Sequence, residues 1–174
     1  MGIIKKPIAV KLVIGALFGE QDYVDQVKII LEERLGPIET LLPPFPFLFT
    51  NYYKEEIGES PYRGFFSFEK LLSREEIVDI KLWTNALELQ IAAENALSTK
   101  RPINLDPGYM TLGQFFLAST KDQRQRVYIR DGIFIEPTLY FQNGHFHPFD
   151  WTYRDYQSPE YIQYLETVRQ KLAY

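Results

Sequence analysis

Residues 126–149 read RVYIRDGIFIEPTLYFQNGHFHPF, and this stretch decides the fold class that the sequence predicts. Asp131-Gly132 and Asn143-Gly144 are dipeptides typical of two-residue turns in β-hairpins, and each lies between runs rich in β-branched and aromatic residues. The pattern therefore predicts a C-terminal antiparallel β-meander. Its strands are expected near residues 114–120, 126–130, 133–141 and 145–149.

The residues before this stretch predict alternating strands and helices. MGIIKKPIAVKLVIGALFGE at the N-terminus reads as a buried first strand, because Lys11 interrupts the apolar run that a signal peptide needs. Apolar residues at helical spacing then predict a first helix that begins at Asp22 and ends at Gly36-Pro37. Prolines 43, 44 and 46 predict that the next strand is irregular and not central in a sheet.

Two further helices have recognisable starts. The segment YRGFFSFEKL, residues 62–71, reads as a strand, and Ser73-Arg74-Glu75-Glu76 after it is a capping box that opens a long helix. A last helix begins at Ser158-Pro159-Glu160. The fold class predicted is α+β, a ferredoxin-like α/β sandwich with two helices on one face of an antiparallel sheet. The C-terminal β-meander and the third helix extend this core, and residues 1–174 are expected to form a single domain.

Composition narrows the function classes. The chain has 174 residues, a net charge of -4 and no cysteine, so disulfides, thiolate metal ligands and cysteine nucleophiles are excluded. The acidic balance argues against a surface built as a whole for nucleic acid or an anionic membrane, although a local basic patch stays open. No stretch reaches the roughly 20 apolar residues that span a bilayer, and we expect a cytoplasmic protein. The motifs GxxxxGK[ST], GxGxxG after a strand, HExxH and GxSxG are absent, and the sequence indicates neither a cofactor nor an oligomeric state.

The first hairpin has a candidate catalytic residue. If Asp131-Gly132 forms the loop, Tyr128 pairs with Ile135 and Arg126 with Pro137, and Glu136 falls on the core side of the sheet. An unpaired carboxylate there is costly, so Glu136 is a candidate acid, base or ligand. The alternative is that Glu136 lies beside a bulge at Pro137 or pairs with an arginine at the edge of the core.

The same register predicts a basic and aromatic stripe of Arg126, Tyr128 and Arg130, with Lys121 and Arg124 before it. Cations at alternate strand positions with an aromatic residue between them suit a phosphate or a nucleotide base. A solvated sheet face explains the same pattern without a ligand.

The two histidines, His145 and His147, are expected to point the same way from one strand. Two ligands of one metal ion can be arranged like this. However, His147 should pair with Tyr140, which puts Glu136 on the order of 13 Å away along the strand. No metal site is therefore predicted, and exposed hairpin histidines are the expectation.

The segment RPINLDPGYM, residues 101–110, has a second group of polar residues. Asp106-Pro107-Gly108-Tyr109 fits a type II turn in which the carboxylate bonds the backbone. A turn does not explain Asn104, on the same side of the chain as Asp106, nor Arg101 before it. Such polar groups at the mouth of a sheet suit a small polar ligand.

Five segments together resemble one family. RPINLDPGYMTLGQFFLASTKD, RVYIRDGIFIEPTLYF, WTYRDY, FTNYYKEEIG and IKLWTNALE are similar to the bacterial and archaeal family known as domain of unknown function 4416. The family has no established activity. Its members are sometimes automatically named GTP-binding, which the missing phosphate loop does not support. One departure is that Arg154 stands where the family usually has proline. The family-like positions of this sequence are Tyr52, Tyr53, Asn85, Asn104, Asp106, Gly108, Tyr109, Lys121, Arg126, Gly132, Glu136, Trp151, Tyr153 and Asp155.

The leading hypothesis is a pocket for a small anionic ligand, phosphate-bearing or nucleotide-like, lined by the segments NLDPGY, TKD and GIFIE. In it Lys121 and Arg126 hold the anionic group, Arg101, Asn104 and Asp106 contact polar groups, and Tyr109 or Tyr153 stacks on a ring. If a reaction occurs, Asp106, Glu136 and Asp155 are the candidate catalytic residues. The alternatives are an RNA-contacting or protein-interaction module that uses the basic aromatic face, and a structural scaffold.

Overall fold

A computed structural model describes residues 2–49, 56–95 and 101–172. Within these ranges the chain is mixed α+β, as the sequence predicts. The helices are α1 (Asp22–Leu35), α2 (Glu76–Asn95) and α3 (Pro159–Gln170), and Asp155–Gln157 form a 3₁₀ turn. The strands are β1 (Val10–Phe18), β2 (Ile38–Pro46), β3 (Tyr62–Leu72), β4 (Ile103–Met110), β5 (Gln114–Ser119), β6 (Val127–Arg130), β7 (Ile133–Gln142) and β8 (His145–Pro148).

The strands form one curled antiparallel sheet, a half-barrel, with the order β2-β3-β1-β4-β5-β7-β6 and with β8 paired to β7. The strand β2 lies at one edge, and its pairing with β3 shifts register between Leu42 and Phe45, on either side of two prolines. A proline has no N–H to give to a ladder, so strands that contain it are tolerated at edges and bulges. The irregular strand predicted here is confirmed.

The sheet has a core on each face. The helices α1 and α2 pack on the same face, where Val27, Leu31 and Ile91 meet Ile14 and other residues of β1. The opposite face packs against α3 and the 3₁₀ turn. Alternation along a strand sends successive side chains to opposite faces. The face that a residue of β1, β3 or β4 takes therefore decides whether it packs under α1 and α2 or towards α3.

Both hairpin turns are confirmed. Asp131 and Gly132 have φ of 51° and 76°, and Asn143 and Gly144 have φ of 52° and 88°, which is the positive φ pair that a type I′ turn requires. The strands of this region do not form a simple meander, however. The strand β5 pairs directly with β7, and β6 and β8 are hairpin partners of the two ends of β7.

The register predicted for the first hairpin is wrong by one residue. Arg130 pairs with Ile133 as expected, but Tyr128 pairs with Phe134 and not with Ile135, because the ladder shifts between Tyr128 and Arg130. A one-residue slip changes which side chains share a face. As a consequence Arg126 contacts Glu136, although the simple register put them on opposite faces.

The turn predicted at Asp106-Pro107-Gly108-Tyr109 is also wrong, because these residues lie within β4 and pair with β1 throughout. Leu105 has its N–H and C=O turned away from β1, towards α2, as its bonds to α2 side chains show. Backbone groups alternate in direction along a strand, so the nitrogen of Pro107 points away from β1, as the N–H of Leu105 does. No described strand pairs with β4 on that side at Pro107, so the missing N–H of proline costs no ladder hydrogen bond. Gly108 is needed for close packing, since a Cβ there would lie 2.2 Å from the Phe116 carbonyl oxygen.

The predicted helix starts agree with the structure in two places. The Ser73 N–H donates to Glu76 Oε2 at 2.7 Å, which is one half of the expected capping box. Ser158 caps α3 by accepting from the Tyr161 N–H. None of the helices in the described residues is long and apolar enough to cross a membrane.

Candidate functional site

The candidate site lies where β4 and β5 separate. These strands pair only over Gly108–Met110 and Phe115–Leu117, while β4 continues along β1 to Ile103. In place of β5, two side chains of α2 bond the exposed edge of β4: Lys81 Nζ donates to the Leu105 carbonyl at 2.8 Å, and Glu88 Oε1 accepts from the Leu105 N–H at 2.6 Å. A cavity of about 640 Å³ is left beside this opening, a volume typical of small-molecule sites.

Most of the residues singled out from the sequence line this cavity. They come from the region before β4, from β4 itself, from the β5–β6 loop, from β7 and from the segment before α3. Those in the cavity wall are Arg101, Asn104, Asp106, Lys121, Arg126, Glu136, Tyr153 and Asp155.

Tyr109 lies elsewhere. It is 8% exposed, belongs to the core under α1 and α2, and packs against Phe116 with ring centroids 4.9 Å apart. Along β4 the even-numbered Asn104 and Asp106 face the cavity, so alternation sends Tyr109 to the other face. The alternation was not expected, because residues 106–109 were predicted to form a turn and not part of a strand.

Arg63, on β3, is the central cation of the site. Its Nη1 donates to Asp106 Oδ2 at 3.0 Å, its Nη2 to Asp155 Oδ2 at 3.3 Å and its Nε to the Tyr161 hydroxyl at 3.2 Å. The side chain is 3% exposed, and among the described residues its guanidinium also lies near four aromatic rings, 5.3 Å from the Phe65 centroid at the closest. Arg63 thus ties two candidate catalytic carboxylates to one buried group.

The two carboxylates on Arg63 have pKa values shifted in opposite directions. Burial works to raise the pKa of Asp106, but the charges of Arg63 and Lys81 outweigh it and the pKa is lowered. Burial raises the pKa of Asp155, and the nearby Asp106 charge adds to this against the opposing effect of Arg63. Environments that separate two carboxyl pKa values distinguish a group that stays ionised from one that holds a proton more readily.

Tyr156 lines the cavity, and Gly15 lies next to it. The Tyr156 hydroxyl is buried and makes no hydrogen bond within the described residues. Burial raises the pKa of Tyr156 well above its usual value, so the hydroxyl keeps its proton. A Cβ at Gly15 would lie 3.1 Å from that hydroxyl and 3.4 Å from Arg63 Nη1. Glycine at this position therefore leaves room for both polar groups.

Glu136 is paired, as one of the two sequence-based readings proposed. Its Oε2 accepts from Arg126 Nε at 2.7 Å and from Gln125 Nε2 at 3.2 Å, and the side chains of Glu136 and Arg126 are 1% and 3% exposed. Its other oxygen, Oε1, is buried and has no partner in the part of the chain that the structure describes. A carboxylate can accept several hydrogen bonds, so Glu136 keeps unused capacity beside the cavity.

Arg126 holds the β5–β6 loop in place. Besides Glu136, it donates from Nη1 to Ser119 Oγ at 2.8 Å and to the Lys121 carbonyl at 3.0 Å, and from Nη2 to the Tyr153 hydroxyl at 3.2 Å. All three of its nitrogens therefore already donate to protein acceptors. The geometry makes Arg126 a residue that positions Tyr153 and the loop.

Side chains of α2 supply further polar groups. Glu88 is 3% exposed and accepts a hydrogen bond from Arg101 Nη1 at 3.2 Å. Burial raises the pKa of Glu88, although the charge of Lys81, the hydrogen bond from the Leu105 N–H and the charge of Arg101 all act to lower it. Lys81 is 6% exposed, and no carboxylate among the described residues lies within ion-pair distance of it. Lys81 is thus a buried cation at the cavity wall.

The segment WTYRDY, residues 151–156, is fastened to β7 at its start. Trp151 Nε1 donates to the Pro137 carbonyl at 2.9 Å, and Thr152 Oγ1 donates to the Thr138 carbonyl at 2.6 Å. These bonds fix the three residues that follow, Tyr153, Arg154 and Asp155, in the cavity wall.

Sequence reasoning missed Arg63 and Lys81, which both line the cavity, and it named Asn85, which also lines it, only as a family-like position. A signal existed for the two residues of α2: Lys81, Asn85 and Glu88 recur at helical spacing beside its apolar face. Arg63 is a lone cation in the apolar strand segment YRGFF, which is unusual for a buried strand. The family-like Tyr52 and Tyr53 lie outside the described residues.

The two arginines of the predicted stripe, Arg126 and Arg130, are both paired with carboxylates, and Arg124 before them is exposed. Arg126 is buried against Glu136, and Arg130 pairs with Asp79 at 2.9 Å and with Asp131 at 2.6 Å. Tyr128 is 58% exposed.

His145 is exposed as expected, whereas His147 is half-buried, and His147 pairs with Tyr140 as expected. The ring nitrogens lie 3.3 Å from Glu166 Oε1 for His145 and 3.0 Å from the Gln142 carbonyl for His147. In the described ranges no three or more histidine, aspartate or glutamate side chains gather as a metal site requires.

Comparison with known proteins gives a family and no activity. No curated protein and no solved structure matches the chain. The family model described as Domain of unknown function (DUF4416) matches residues 8–172, which is nearly all of the 174 residues. The chain therefore belongs to the DUF4416 family.

Proposed function

We propose that the cavity binds a small anionic ligand that is phosphate-bearing or nucleotide-like. Its wall includes residues of the segments NLDPGY, TKD and GIFIE, together with Lys81 from α2 and Arg63 from β3. The cavity volume of about 640 Å³ is sufficient for a nucleotide-sized compound.

The observation that carries the proposal is a group of buried polar atoms without partners. Arg101 Nε, Glu136 Oε1 and the Tyr156 hydroxyl all belong to residues of this one cavity wall, and none has a hydrogen-bond partner within the described residues. The Asn104 amide interacts with Asp106 and has a second N–H to donate. Each such group costs about 1–3 kcal/mol if it stays unsatisfied. A polar ligand that fills the cavity would supply the missing partners.

The charges of the wall favour an anion. Cations outnumber carboxylates among the lining residues, and Asn85 adds a half-buried amide. The cations are Arg63, Lys81, Arg101, Lys121, Arg126 and Arg154, against the carboxylates Asp106, Glu136 and Asp155. Because all three nitrogens of Arg126 donate to protein acceptors, we assign the anionic group to Lys81, Asn104 and the Nε of Arg101. The other two nitrogens of Arg101 are already paired, with Glu88 at 3.2 Å and with Glu56 at 2.8 Å.

The same site has the groups for acid–base chemistry. If the bound compound reacts, Asp155 is the proposed proton donor, because its pKa is raised, and Asp106 is the proposed ionised partner, because its pKa is lowered. Both touch Arg63, which would keep them at a fixed separation.

We also propose that β1, α1, β2, β3, α2 and β4 form a ferredoxin-like sandwich. The strand order β2-β3-β1-β4 and the packing of both helices on one face support this description.

The test is a thermal-shift panel on the purified protein with nucleotides, sugar phosphates and inorganic phosphate. A ligand at 100 times its dissociation constant should add about 2.7 kcal/mol to the unfolding free energy. Lys81→Met should abolish the shift, whereas Lys70→Met, at an exposed position on β3 outside the cavity, should keep it.

Two results would contradict the proposal. One is a panel in which no phosphate-bearing compound shifts the melting temperature of the wild-type protein. The other is a shift that survives Lys81→Met unchanged, because the ligand would then bind away from the cavity.

A further inference from the structure

The unsatisfied groups of the cavity differ between its two ends, and this difference says what kind of ligand fits. At the end next to α2 they are donors. The Lys81 ammonium has three N–H groups, of which the Leu105 carbonyl takes one. Arg101 Nε has no acceptor within the described residues, and the Asn104 amide, which interacts with Asp106, has a second N–H to donate. This end therefore requires hydrogen-bond acceptors. Arg101 is already paired with Glu56 and Glu88, so Lys81 is the cation here that favours a negatively charged acceptor.

At the end next to β7 the unsatisfied group is an acceptor. Glu136 Oε1 has no donor within the described chain, although Oε2 of the same carboxylate has two. The nearby Arg126 cannot serve Oε1 with its Nε, because that nitrogen already donates to Oε2. This end requires an N–H or O–H group from outside the described residues, and a bound ligand can supply it.

The two ends are too far apart for one small anion. Glu136 pairs with Leu117, and Leu117 pairs with Gly108, so β7 and β4 are separated by two strand spacings, about 10 Å. Leu105, whose carbonyl binds Lys81, lies three residues further along β4, about another 10 Å. The backbones at the two ends are therefore on the order of 14 Å apart, and a ligand that serves both must be elongated.

Aromatic side chains offer contacts for a flat group. Phe49 and Tyr153 both line the cavity and are 41% and 48% exposed. Exposed rings in a ligand cavity can stack on a planar group such as a nucleobase.

We propose that the ligand is a nucleoside monophosphate bound in one orientation, with its phosphate at Lys81, Arg101 and Asn104 and an N–H donor of its base at Glu136 Oε1. This proposal rests on the proposed function and adds the class of compound and its direction. A phosphate supplies the acceptors for one end, and a base supplies both the donor and the flat surface for the other. Glu136 is then a specificity residue and Lys81 an anion-binding residue.

The experiment is calorimetric titration of the wild-type protein, Glu136→Gln, Lys81→Met and the exposed-site control Glu33→Gln. The probes are AMP, GMP, CMP, UMP and ribose 5-phosphate, which keeps the phosphate and loses the base. At least one nucleotide should bind wild type tenfold or more tightly than ribose 5-phosphate. Glu136→Gln should weaken that nucleotide about tenfold, the loss expected for one charge-assisted hydrogen bond, and leave ribose 5-phosphate unchanged.

The outcomes separate this inference from the proposed function. If nucleotides and ribose 5-phosphate bind wild type with equal affinity, the base makes no contact with Glu136 and the proposed orientation is wrong. The proposal that the cavity binds a phosphate would still be supported. If no probe binds, the proposed function fails and the orientation fails with it. Should Glu136→Gln prove unfolded by circular dichroism, the comparison of nucleotide with ribose 5-phosphate on wild type decides the question.

Discussion

Replacing Arg63 with methionine should destabilise the protein strongly. The guanidinium is 3% exposed and contacts Asp106 and Asp155 at 3.0 and 3.3 Å. Methionine has similar bulk and no charge, so the two carboxylates would face each other without their shared cation. Removal of one partner from a buried ion pair costs about 3–5 kcal/mol, a large fraction of the 5–15 kcal/mol that typically stabilises a domain.

Urea denaturation at pH 7 measures this loss, and two further variants identify its cause. Arg124→Met removes an exposed arginine and should change stability by less than about 0.5 kcal/mol. Adding Asp155→Asn to Arg63→Met removes a buried charge, so the double variant should be less destabilised than the sum of the single variants by about 1–3 kcal/mol. A loss below about 1 kcal/mol for Arg63→Met, or strict additivity in the double variant, would refute the reasoning.

Four further predictions concern two carboxylates, the strand packing and a helix cap. Asp106 has a lowered pKa, so its ionised form stabilises the fold above about pH 4, and this stabilisation is lost as the pH falls further. In urea denaturation at a series of pH values, Asp106→Asn should therefore reduce the fall in unfolding free energy below about pH 4. Asp155 has a raised pKa, so its ionisation lowers the unfolding free energy as the pH rises above about 4. Asp155→Asn should remove this decrease in the same denaturation experiments. Gly108→Ala should cost about 1–3 kcal/mol or more by thermal unfolding, because the new Cβ would meet the Phe116 carbonyl, whereas Gly113→Ala, which meets nothing within 4 Å, should be nearly neutral. Ser158→Ala should lower stability by about 1 kcal/mol, since it removes the cap of α3, and an unchanged melting temperature would contradict that role.

Local signals were sufficient for much of the fold. The dipeptides Asp131-Gly132 and Asn143-Gly144 require positive φ, and this requirement alone locates both hairpins. Helix caps at Ser73 and Ser158 identified the starts of α2 and α3 for the same reason: a cap is a contact between near neighbours in sequence.

The errors arose where a distant partner overrides the local signal. Asp106-Pro107-Gly108-Tyr109 has turn chemistry, yet pairing with β1 and bonds from α2 keep it extended. The shift between Tyr128 and Arg130 reflects pairing with β7, which the length of the turn cannot reveal.

The candidate site was visible only in part. Glu136 could be selected because a carboxylate on the core side of a strand needs a partner. Asn104 could be selected because the turn expected at Asp106 did not explain it. Arg63 could not be linked to Asp106, because the contact joins residues that are 43 positions apart. Lys81 reaches the site because β5 leaves β4 early, and that separation is a property of the whole sheet.

The most direct test of the central claim is a two-dimensional ¹H–¹⁵N NMR titration of the protein with a nucleoside monophosphate. If the cavity binds the nucleotide, the largest amide shifts will cluster at residues that border it. These are residues 103–107, 117–126 and 153–156 and the part of α2 near Lys81. Shifts confined to β8 or α3, or no shifts at millimolar nucleotide, would contradict it.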